Sequence, residues 1–337
     1  MTLHDRPLVY INEQLDMTGA SHDWLVEHGA AVSVGRPMWD KPEQSMTDDE
    51  LIEACQGAVA VMGASRDRYS RGFMEACPRL RLISKYGIGT EKIDVEAATE
   101  LGVMVAHTPV PENYHSVAEH AVALMLAVLR RIGPMDRHVR EGGWRSPATL
   151  VQSLEGKTVG LVGLGRIGQN VVRRLSGWGV DFIAFDPYIS AEDVQTLGVE
   201  LVSFETLLKK ANVITLHTLV TDETRKMIDS KALSFVQPGT IVINTARGEL
   251  IDEKALEEAL RSGRVAGAGL DVTDPEPPKM GSGLLELTQV VMSPHVASIS
   301  DRALNAIVEC ATDNVVAVLS GRLPKFLRNP GVLSHLR

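Results

Sequence analysis

Residues 158 to 186 read TVGLVGLGRIGQNVVRRLSGWGVDFIAFD, and their pattern is the strongest indication of the fold in this sequence. It opens with an apolar run that is typical of a buried parallel strand. Three glycines follow at once, Gly163, Gly165 and Gly168, in the spacing G-x-G-x-x-G. A helical pattern comes next, and a second apolar run ends at Asp186. The order strand, glycine turn, helix, strand and acid predicts one βαβ unit that binds a dinucleotide.

Each part of this unit has a physical task. The first glycine permits the tight turn, the second lets a pyrophosphate approach the backbone, and the third lets helix and strand pack closely. We expect the pyrophosphate at the helix N-terminus, where free N–H groups and the helix dipole favour an anion. Asp186 can accept hydrogen bonds from ribose hydroxyls and would repel a 2′-phosphate, which predicts NAD rather than NADP. The alternative is a glycine-rich turn in another α/β protein.

The composition narrows the possible functions. At 337 residues the chain is long enough for two domains. A net charge of −9 argues against a nucleic-acid or anionic-membrane partner. The longest apolar run, Ala121 to Leu129, is too short to span a bilayer. The three scattered cysteines form neither a disulfide framework nor a metal-ligand pattern, and no signal peptide is evident, so we expect a cytoplasmic protein without a metal site.

Apolar runs alternate with helical patterns on both sides of the glycine turn. Strands are predicted at 8–11, 31–34, 58–62, 80–84 and 103–106, and again at 213–216, 240–243, 265–270 and 290–292. Helices are predicted at 47–56 with a capping box, 116–131, 135–142 after a break at Gly133 and Pro134, 252–263, and 302–320 before a polar tail. This alternation of strands and helices predicts two Rossmann-like domains with doubly wound parallel sheets. We expect residues 107–296 to form an NAD-binding domain inserted into a flavodoxin-like substrate domain of residues 1–106 and 297–337.

Three charged side chains follow predicted strands, where ligands of a doubly wound sheet collect: Arg247, Asp271 and His295. Hydride transfer beside NAD needs a proton donor and acceptor, and a cation for an acid group. His295 suits the first task because histidine titrates near neutral pH, and Glu276 in a proline-flanked loop can orient its ring. Arg247 can hold a carboxylate through two hydrogen bonds. Taken singly, the alternatives are a structural histidine, a surface acid and a surface salt bridge.

The chain resembles the D-isomer-specific 2-hydroxyacid dehydrogenases, the family of phosphoglycerate dehydrogenase and hydroxypyruvate reductase. The resemblance rests on ordered motifs over nearly the whole chain: KYGIGTEKID (85–94), SVAEHAV (116–122), VGLVGLGRIG (159–168), NTARGELID (244–252), DVTDPEP (271–277) and SPHVA (293–297). It implies interconversion of a D-2-hydroxy acid and its 2-keto acid with NAD. The main candidates are 3-phosphoglycerate with 3-phosphohydroxypyruvate, and hydroxypyruvate or glyoxylate. A non-catalytic NAD-sensing interaction protein of the co-repressor type is the alternative.

The resemblance also assigns roles to single residues. It implies that Arg247, Glu276 and His295 are catalytic, with Arg247 on the substrate carboxylate and keto oxygen. The implied NAD site also includes Arg166, Ile167, Asp186, His217, Thr245, Ala246, Asp271 and Ala297. The implied substrate site includes the backbone amides of Ile88 and Gly89, and Lys85 and Arg66 can supply charge for a phosphate. Ala64 stands where phosphoglycerate dehydrogenases often carry an arginine.

Two further expectations follow from the resemblance. The sequence leaves open whether Trp144 packs onto its own chain or against a partner subunit. Family members form homodimers through their NAD-binding domains, so the resemblance favours a subunit interface. The chain ends before the C-terminal regulatory domain of serine-controlled members, so serine inhibition by that route is not expected.

Overall fold

A computed structural model describes residues 6–16, 18–37, 45–63 and 66–336. The chain divides into two compact units, and each is an α/β structure. Unit 1 is built from the chain up to Asn113 and from Ile299 onwards, and unit 2 from Tyr114 to Ser298. Within the described ranges, no helix has the length and apolar character needed to cross a membrane.

Unit 1 contains a sheet of five parallel strands. They are β1 (Leu8–Gln14), β2 (Ala31–Pro37), β3 (Ala58–Gly63), β4 (Leu82–Lys85) and β5 (Met104–Ala106). Their spatial order is β2-β1-β3-β4-β5, which is the flavodoxin order. The predicted strands are confirmed with shifts of a few residues at their ends. The sheet is covered by α1 (Ala20–Glu27), α2 (Asp48–Ala54), α3 (Arg71–Ala76), α4 (Val95–Glu100) and α12 (Asp301–Leu319).

Two apolar clusters form the core of unit 1, one on each face of its sheet. On one face, α12 contributes Ile307 and Val315, and the Ser84 hydroxyl donates to the Ala311 carbonyl at 3.0 Å. The capping box predicted for α2 is present. Thr47 Oγ1 accepts from the Glu50 N–H, and Glu50 Oε2 accepts from the Thr47 N–H at 2.8 Å.

The segment after α12 is not the polar tail that the sequence predicts. Leu327 pairs with Ala106 of the edge strand β5, and Val332 is fully buried. Asn329 is 4% exposed, and its side chain accepts from the Val105 N–H and donates to the Val103 carbonyl. The segment therefore covers a sheet edge whose backbone groups would otherwise lack partners.

The helices that follow β5 also differ from the prediction. Helix α5 spans Pro111–Leu129 and begins five residues early, because proline suits a first helical turn. Arg131 adopts a left-handed conformation (φ 51°) and separates α5 from α6 (Ile132–Arg140). The prediction that Gly133 and Pro134 break the helix is wrong. Both lie in the first turn of α6, where a missing N–H costs no hydrogen bond.

Unit 2 contains seven parallel strands. They are β6 (Thr158–Val162), β7 (Asp181–Phe185), β8 (Val199–Leu201), β9 (Val213–Leu216), β10 (Thr240–Asn244), β11 (Val265–Leu270) and β12 (Val290–Met292). The remaining helices are α7 (Arg166–Leu175), α8 (Ala191–Val194), α9 (Phe204–Lys210), α10 (Ser230–Phe235) and α11 (Glu253–Arg261). The strand order is β12-β11-β10-β9-β6-β7-β8. The direction of winding reverses between β6 and β9, and ligands of such sheets bind at the carboxyl ends of strands at that point.

Candidate active site

The glycine turn follows β6 and has the geometry that its spacing predicts. Gly163 has φ 92°, and a Cβ built on it would lie 2.7 Å from the His217 carbonyl oxygen. A Cβ on Gly168 would lie 2.5 Å from the Gly163 carbonyl oxygen, so helix α7 can approach β6 only with glycine there. Gly165 is the N-cap of α7, and no described atom lies within 4 Å of a Cβ built on it. The turn thus presents open backbone at a helix N-terminus, which fits a pyrophosphate.

Asp186 directly follows β7 and holds this turn in place. Its Oδ2 accepts from the Leu164 N–H at 2.9 Å, and its Oδ1 accepts from the Tyr188 N–H at 3.0 Å. Each carboxylate oxygen can accept a second hydrogen bond. Asp186 therefore retains capacity for ribose hydroxyls while it fixes the backbone beside them. Arg166 is exposed on α7, with its guanidinium 5.8 Å from the Tyr114 ring centre, and Ile167 packs into the core beneath.

Buried polar atoms follow the neighbouring strands β9 and β10. His217 Nε2 lies 2.9 Å from Thr215 Oγ1, and burial lowers the pKa of His217 to about 3. His217 Nδ1 and Thr245 Oγ1 are buried, and neither has a hydrogen-bond partner among the described residues. Buried polar atoms without partners are costly. The His217 backbone lies against Gly163 of the glycine turn, so these atoms fit a polar ligand at the ends of the strands.

Arg247 lies in a turn that the side chain of Asn244 organises. Asn244 Nδ2 donates to the Arg247 carbonyl at 2.7 Å, and Asn244 Oδ1 accepts from the Ala246 N–H at 3.0 Å. A Cβ on Gly248 would lie 2.1 Å from the Thr273 carbonyl carbon and oxygen. The absence of a side chain at Gly248 therefore lets the Arg247 turn lie directly against the loop that carries Glu276.

His295 and Glu276 form a hydrogen-bonded pair. His295 Nδ1 lies 2.8 Å from Glu276 Oε2, so Nδ1 carries the proton and donates to the carboxylate. Within the described ranges the other ring nitrogen, Nε2, has no hydrogen-bond partner. Burial acts to raise the pKa of Glu276, but the hydrogen bond and charge of His295 and the charge of Arg247 outweigh it and lower that pKa. The pair thus joins an oriented imidazole to a carboxylate that stays ionised.

Asp271 is buried and fastens the loop that carries His295. Its Oδ1 accepts from the Val296 N–H and its Oδ2 from the Ala297 N–H, both at 2.9 Å. Its carbonyl accepts from the His295 N–H at 2.8 Å. His295 has φ 53°, a conformation that residues with side chains rarely adopt. Asp271 therefore holds an uncommon backbone conformation at the candidate acid/base.

The remaining predicted residues lie at the carboxyl ends of strands in unit 1. Lys85 ends β4, and its Nζ donates to the Tyr86 carbonyl at 2.6 Å. In the described part of the chain, the N–H groups of Ile88 and Gly89 have no hydrogen-bond partner. The backbone N–H of Arg66 donates to Glu13 Oε1 at 2.5 Å. Ala64, which stands where phosphoglycerate dehydrogenases often carry an arginine, and its neighbour Ser65 lie outside the described residues.

Comparisons with known proteins identify the family. Residues 122–297 match the model of the D-isomer specific 2-hydroxyacid dehydrogenase, NAD binding domain. Glyoxylate reductase from Thermococcus litoralis is 35% identical over 98% of this chain and 98% of its own length. The chain belongs to the D-isomer specific 2-hydroxyacid dehydrogenases. Their NAD-binding domain forms most of unit 2, and the comparisons give no support to the non-catalytic alternative.

Two further relatives of this chain show how far the likeness extends. D-3-phosphoglycerate dehydrogenase from Mycobacterium leprae is 41% identical over 81% of this chain, which spans only about half (51%) of that protein's length. The crystal structure of the TT0316 protein from Thermus thermophilus has a TM-score of 0.87 and 36% identity. That match covers 95% of this chain and 99% of the TT0316 chain.

Two residues that shape the candidate site of this protein were not predicted from the sequence. Gly248 permits the close approach of two loops, and Glu253 Oε1 accepts from the Asp274 N–H at 2.9 Å, near Glu276. Gly248 lies inside the motif NTARGELID, but its neighbour Thr273 is 25 residues further along the chain. No local pattern reveals such a contact.

Proposed function

We propose that this protein interconverts a D-2-hydroxy acid and its 2-keto acid with NAD, and that Arg247, Glu276 and His295 carry out the catalysis. The proposal rests on one observation above the others. His295 is oriented by a 2.8 Å hydrogen bond to Glu276, and its Nε2 is left for a substrate oxygen. This pairing is what a reversible proton donor and acceptor requires.

Bound NAD supplies a hydride acceptor, or a hydride donor when reduced. In the reductive direction, His295 Nε2 donates a proton to the keto oxygen of the substrate. Glu276 stays ionised and stabilises the protonated imidazole before this transfer. Arg247 binds the substrate carboxylate and fixes the carbonyl group relative to His295.

We include Lys85, Arg66 and the amides of Ile88 and Gly89 in this proposal as substrate-binding groups. Ile88 and Gly89 carry adjacent N–H groups that have no partner among the described residues, and a carboxylate suits such a pair. Lys85 and Arg66 supply positive charge for a phosphate, if the substrate carries one. The candidate substrates remain 3-phosphoglycerate with its keto acid, and hydroxypyruvate or glyoxylate. The relative from Mycobacterium leprae is named for 3-phosphoglycerate, and the relative from Thermococcus litoralis is named for glyoxylate.

The experiment that tests this function is NADH oxidation against a panel of keto acids. The panel contains 3-phosphohydroxypyruvate, hydroxypyruvate, glyoxylate, pyruvate and a branched 2-keto acid. We expect turnover on the first three, and the best substrate then decides whether a phosphate is recognised. Absence of turnover on every member would overturn the proposal.

Three further proposals concern the roles of the two units, the oligomeric state and the location of the protein. Unit 2 acts as the NAD-binding domain and unit 1 as the substrate domain, although the units divide after residues 113 and 298 rather than after the expected 106 and 296. The protein forms a homodimer through its NAD-binding domains, which the exposed apolar residues of segment 132–150 support. It acts in the cytoplasm, and its three cysteines, which form no disulfide, support this.

A further inference from the structure

A second histidine, His120 on helix α5, contacts the residues that hold His295. His120 Nε2 lies 2.8 Å from Ser293 Oγ and 3.5 Å from Asp271 Oδ1. Ser293 Oγ in turn lies 2.6 Å from Asp271 Oδ1. The Asp271 side chain is fully buried, whereas 26% of the His120 side chain is exposed. Three polar groups from distant parts of unit 2 thus form one hydrogen-bonded row.

The direction of these hydrogen bonds follows from the protons available. An ionised carboxylate only accepts hydrogen bonds, so Ser293 uses its single hydroxyl proton to donate to Asp271. Ser293 Oγ must then accept from His120, and His120 Nε2 must carry a proton. The row therefore runs from His120 through Ser293 to Asp271. Hydrogen bonds in such a row strengthen one another, especially around a buried charge.

The carboxylate at the end of this row determines the backbone around His295. Asp271 accepts from the N–H groups of Val296 and Ala297, and its carbonyl accepts from the N–H of His295. His295 keeps φ 53° only while these bonds are made, because the left-handed region costs about 1–2 kcal/mol for a residue with a side chain. A rotation of the Asp271 carboxylate would release the N–H groups of Val296 and Ala297, which directly follow His295.

We propose that His120 is a positioning residue for His295: through Ser293 it fixes the Asp271 carboxylate, which fixes the backbone that carries the His295 ring. This inference rests on the proposed function, in which His295 is the acid/base. His120 itself touches neither of the groups proposed to react. It acts by keeping the imidazole of His295 within the small range of positions that proton transfer allows.

The test compares His120→Gln, which keeps a side-chain N–H donor, with His120→Leu, which keeps the approximate volume without a donor. Three quantities are measured: kcat and KM on the best keto acid, the thermal midpoint, and amide hydrogen exchange at Val296 and Ala297. His120→Leu should lower kcat about tenfold or more and speed exchange at both amides, with a smaller effect on KM. His120→Gln should recover most of both losses. Ser293→Ala should resemble His120→Leu, and combining the two should add little.

Two results would overturn the inference. One is unchanged kcat and exchange in folded His120→Leu. The other is an equal loss in His120→Leu and His120→Gln, because the donor would then be irrelevant. Amide exchange needs no turnover, so it still decides whether His120 holds the loop if the wild-type protein reduces no keto acid. Failure of the proposed function and failure of this inference are therefore distinguishable.

Discussion

Two histidines of unit 2 differ in role because their surroundings differ. His217 is held by Thr215, its Nδ1 is buried without a partner among the described residues, and burial lowers its pKa to about 3. It is therefore neutral at physiological pH and unsuited to deliver a proton. His295 has an exposed ring hydrogen-bonded to an ionised carboxylate. Burial and hydrogen-bond partner, rather than residue type, thus distinguish His295 as the proposed acid/base.

The depressed pKa of His217 makes a prediction about stability. In the unfolded chain this histidine gains a proton below about pH 6.5, whereas in the folded protein it stays neutral down to about pH 3. Between these values the unfolded state binds more protons, so the free energy of unfolding falls as the pH falls. His217 should contribute a loss of about 1.4 kcal/mol between pH 7.5 and pH 5.5.

Urea unfolding of the wild type and of His217→Gln at these two pH values measures this contribution. The wild type should lose about 1.4 kcal/mol more than the variant on acidification, because glutamine does not titrate. An identical pH dependence in both proteins would show that His217 is not held neutral by the fold.

Asp186 provides a second prediction at the scale of one residue. Its charge should disfavour the 2′-phosphate of NADP, while its oxygens hold the Leu164 and Tyr188 N–H groups. Asp186→Asn keeps one acceptor oxygen and removes the charge, so the preference for NADH over NADPH should fall roughly tenfold, or about 1.4 kcal/mol. Dissociation constants for both cofactors measure it. An unchanged ratio would mean that Asp186 does not discriminate between them.

At the scale of helices and strands, the sequence predicted the features that depend on residues close together in the chain. The β-branched runs form strands whose ends differ from the predicted ends by a few residues. Thr47 and Asp252 cap α2 and α11 as predicted. Asp186 and the glycine turn were also predictable, because their spacing along the chain encodes their geometry. Within the site, the 2.8 Å pair of Glu276 and His295 was suggested by residue type, but only the fold supplies its geometry.

Features that depend on distant partners were not predictable. The polarity of residues 321–337 suggested an exposed tail, yet Asn329 is buried because it replaces missing partners at the edge of β5. In the row from His120 to Asp271, the first hydrogen bond joins His120 and Ser293, which lie 173 positions apart in the sequence. Polarity along the chain cannot distinguish a solvated side chain from one satisfied by a remote backbone group.

The close approach of two loops at Gly248 predicts that an added side chain at this position lowers both activity and stability. A methyl group there would meet the Thr273 backbone at 2.1 Å, so Gly248→Ala must push the Arg247 turn away from the Glu276 loop. We expect kcat/KM to fall at least roughly tenfold and the free energy of unfolding to fall by about 1–3 kcal/mol.

The matched control is Gly72→Ala in helix α3. Its nearest neighbour along the Cβ direction is Ser70 Oγ at 3.8 Å, so the methyl group fits. This variant should keep wild-type activity and gain up to about 1 kcal/mol of stability. Wild-type activity in Gly248→Ala would contradict the role assigned to the loop contact.

At the scale of the whole molecule, exposed apolar side chains favour a subunit interface on unit 2. Trp144 is 70% exposed and Leu150 is 82% exposed, and Ile132 and Val139 are also exposed on α6. Large apolar groups gathered in one segment mark surfaces that another protein covers. In the proposed homodimer, this segment packs against a second copy of the chain.

Light scattering after size-exclusion chromatography tests the dimer. The wild type should elute with twice the mass of one chain, and Trp144→Glu combined with Leu150→Glu should give monomers, because a buried unpaired charge is costly. Met280→Glu serves as the control, since Met280 is 93% exposed outside this segment and its variant should stay dimeric. A dimeric double variant would place the interface elsewhere.

In the proposed mechanism, His295 is oriented by Glu276 and exchanges the proton with the substrate oxygen. The most direct test measures kcat on the best keto acid and the NADH dissociation constant for the wild type and for His295→Ala. We predict that kcat falls by about 10²-fold or more while NADH binding is retained. Turnover close to that of the wild type in His295→Ala would contradict it.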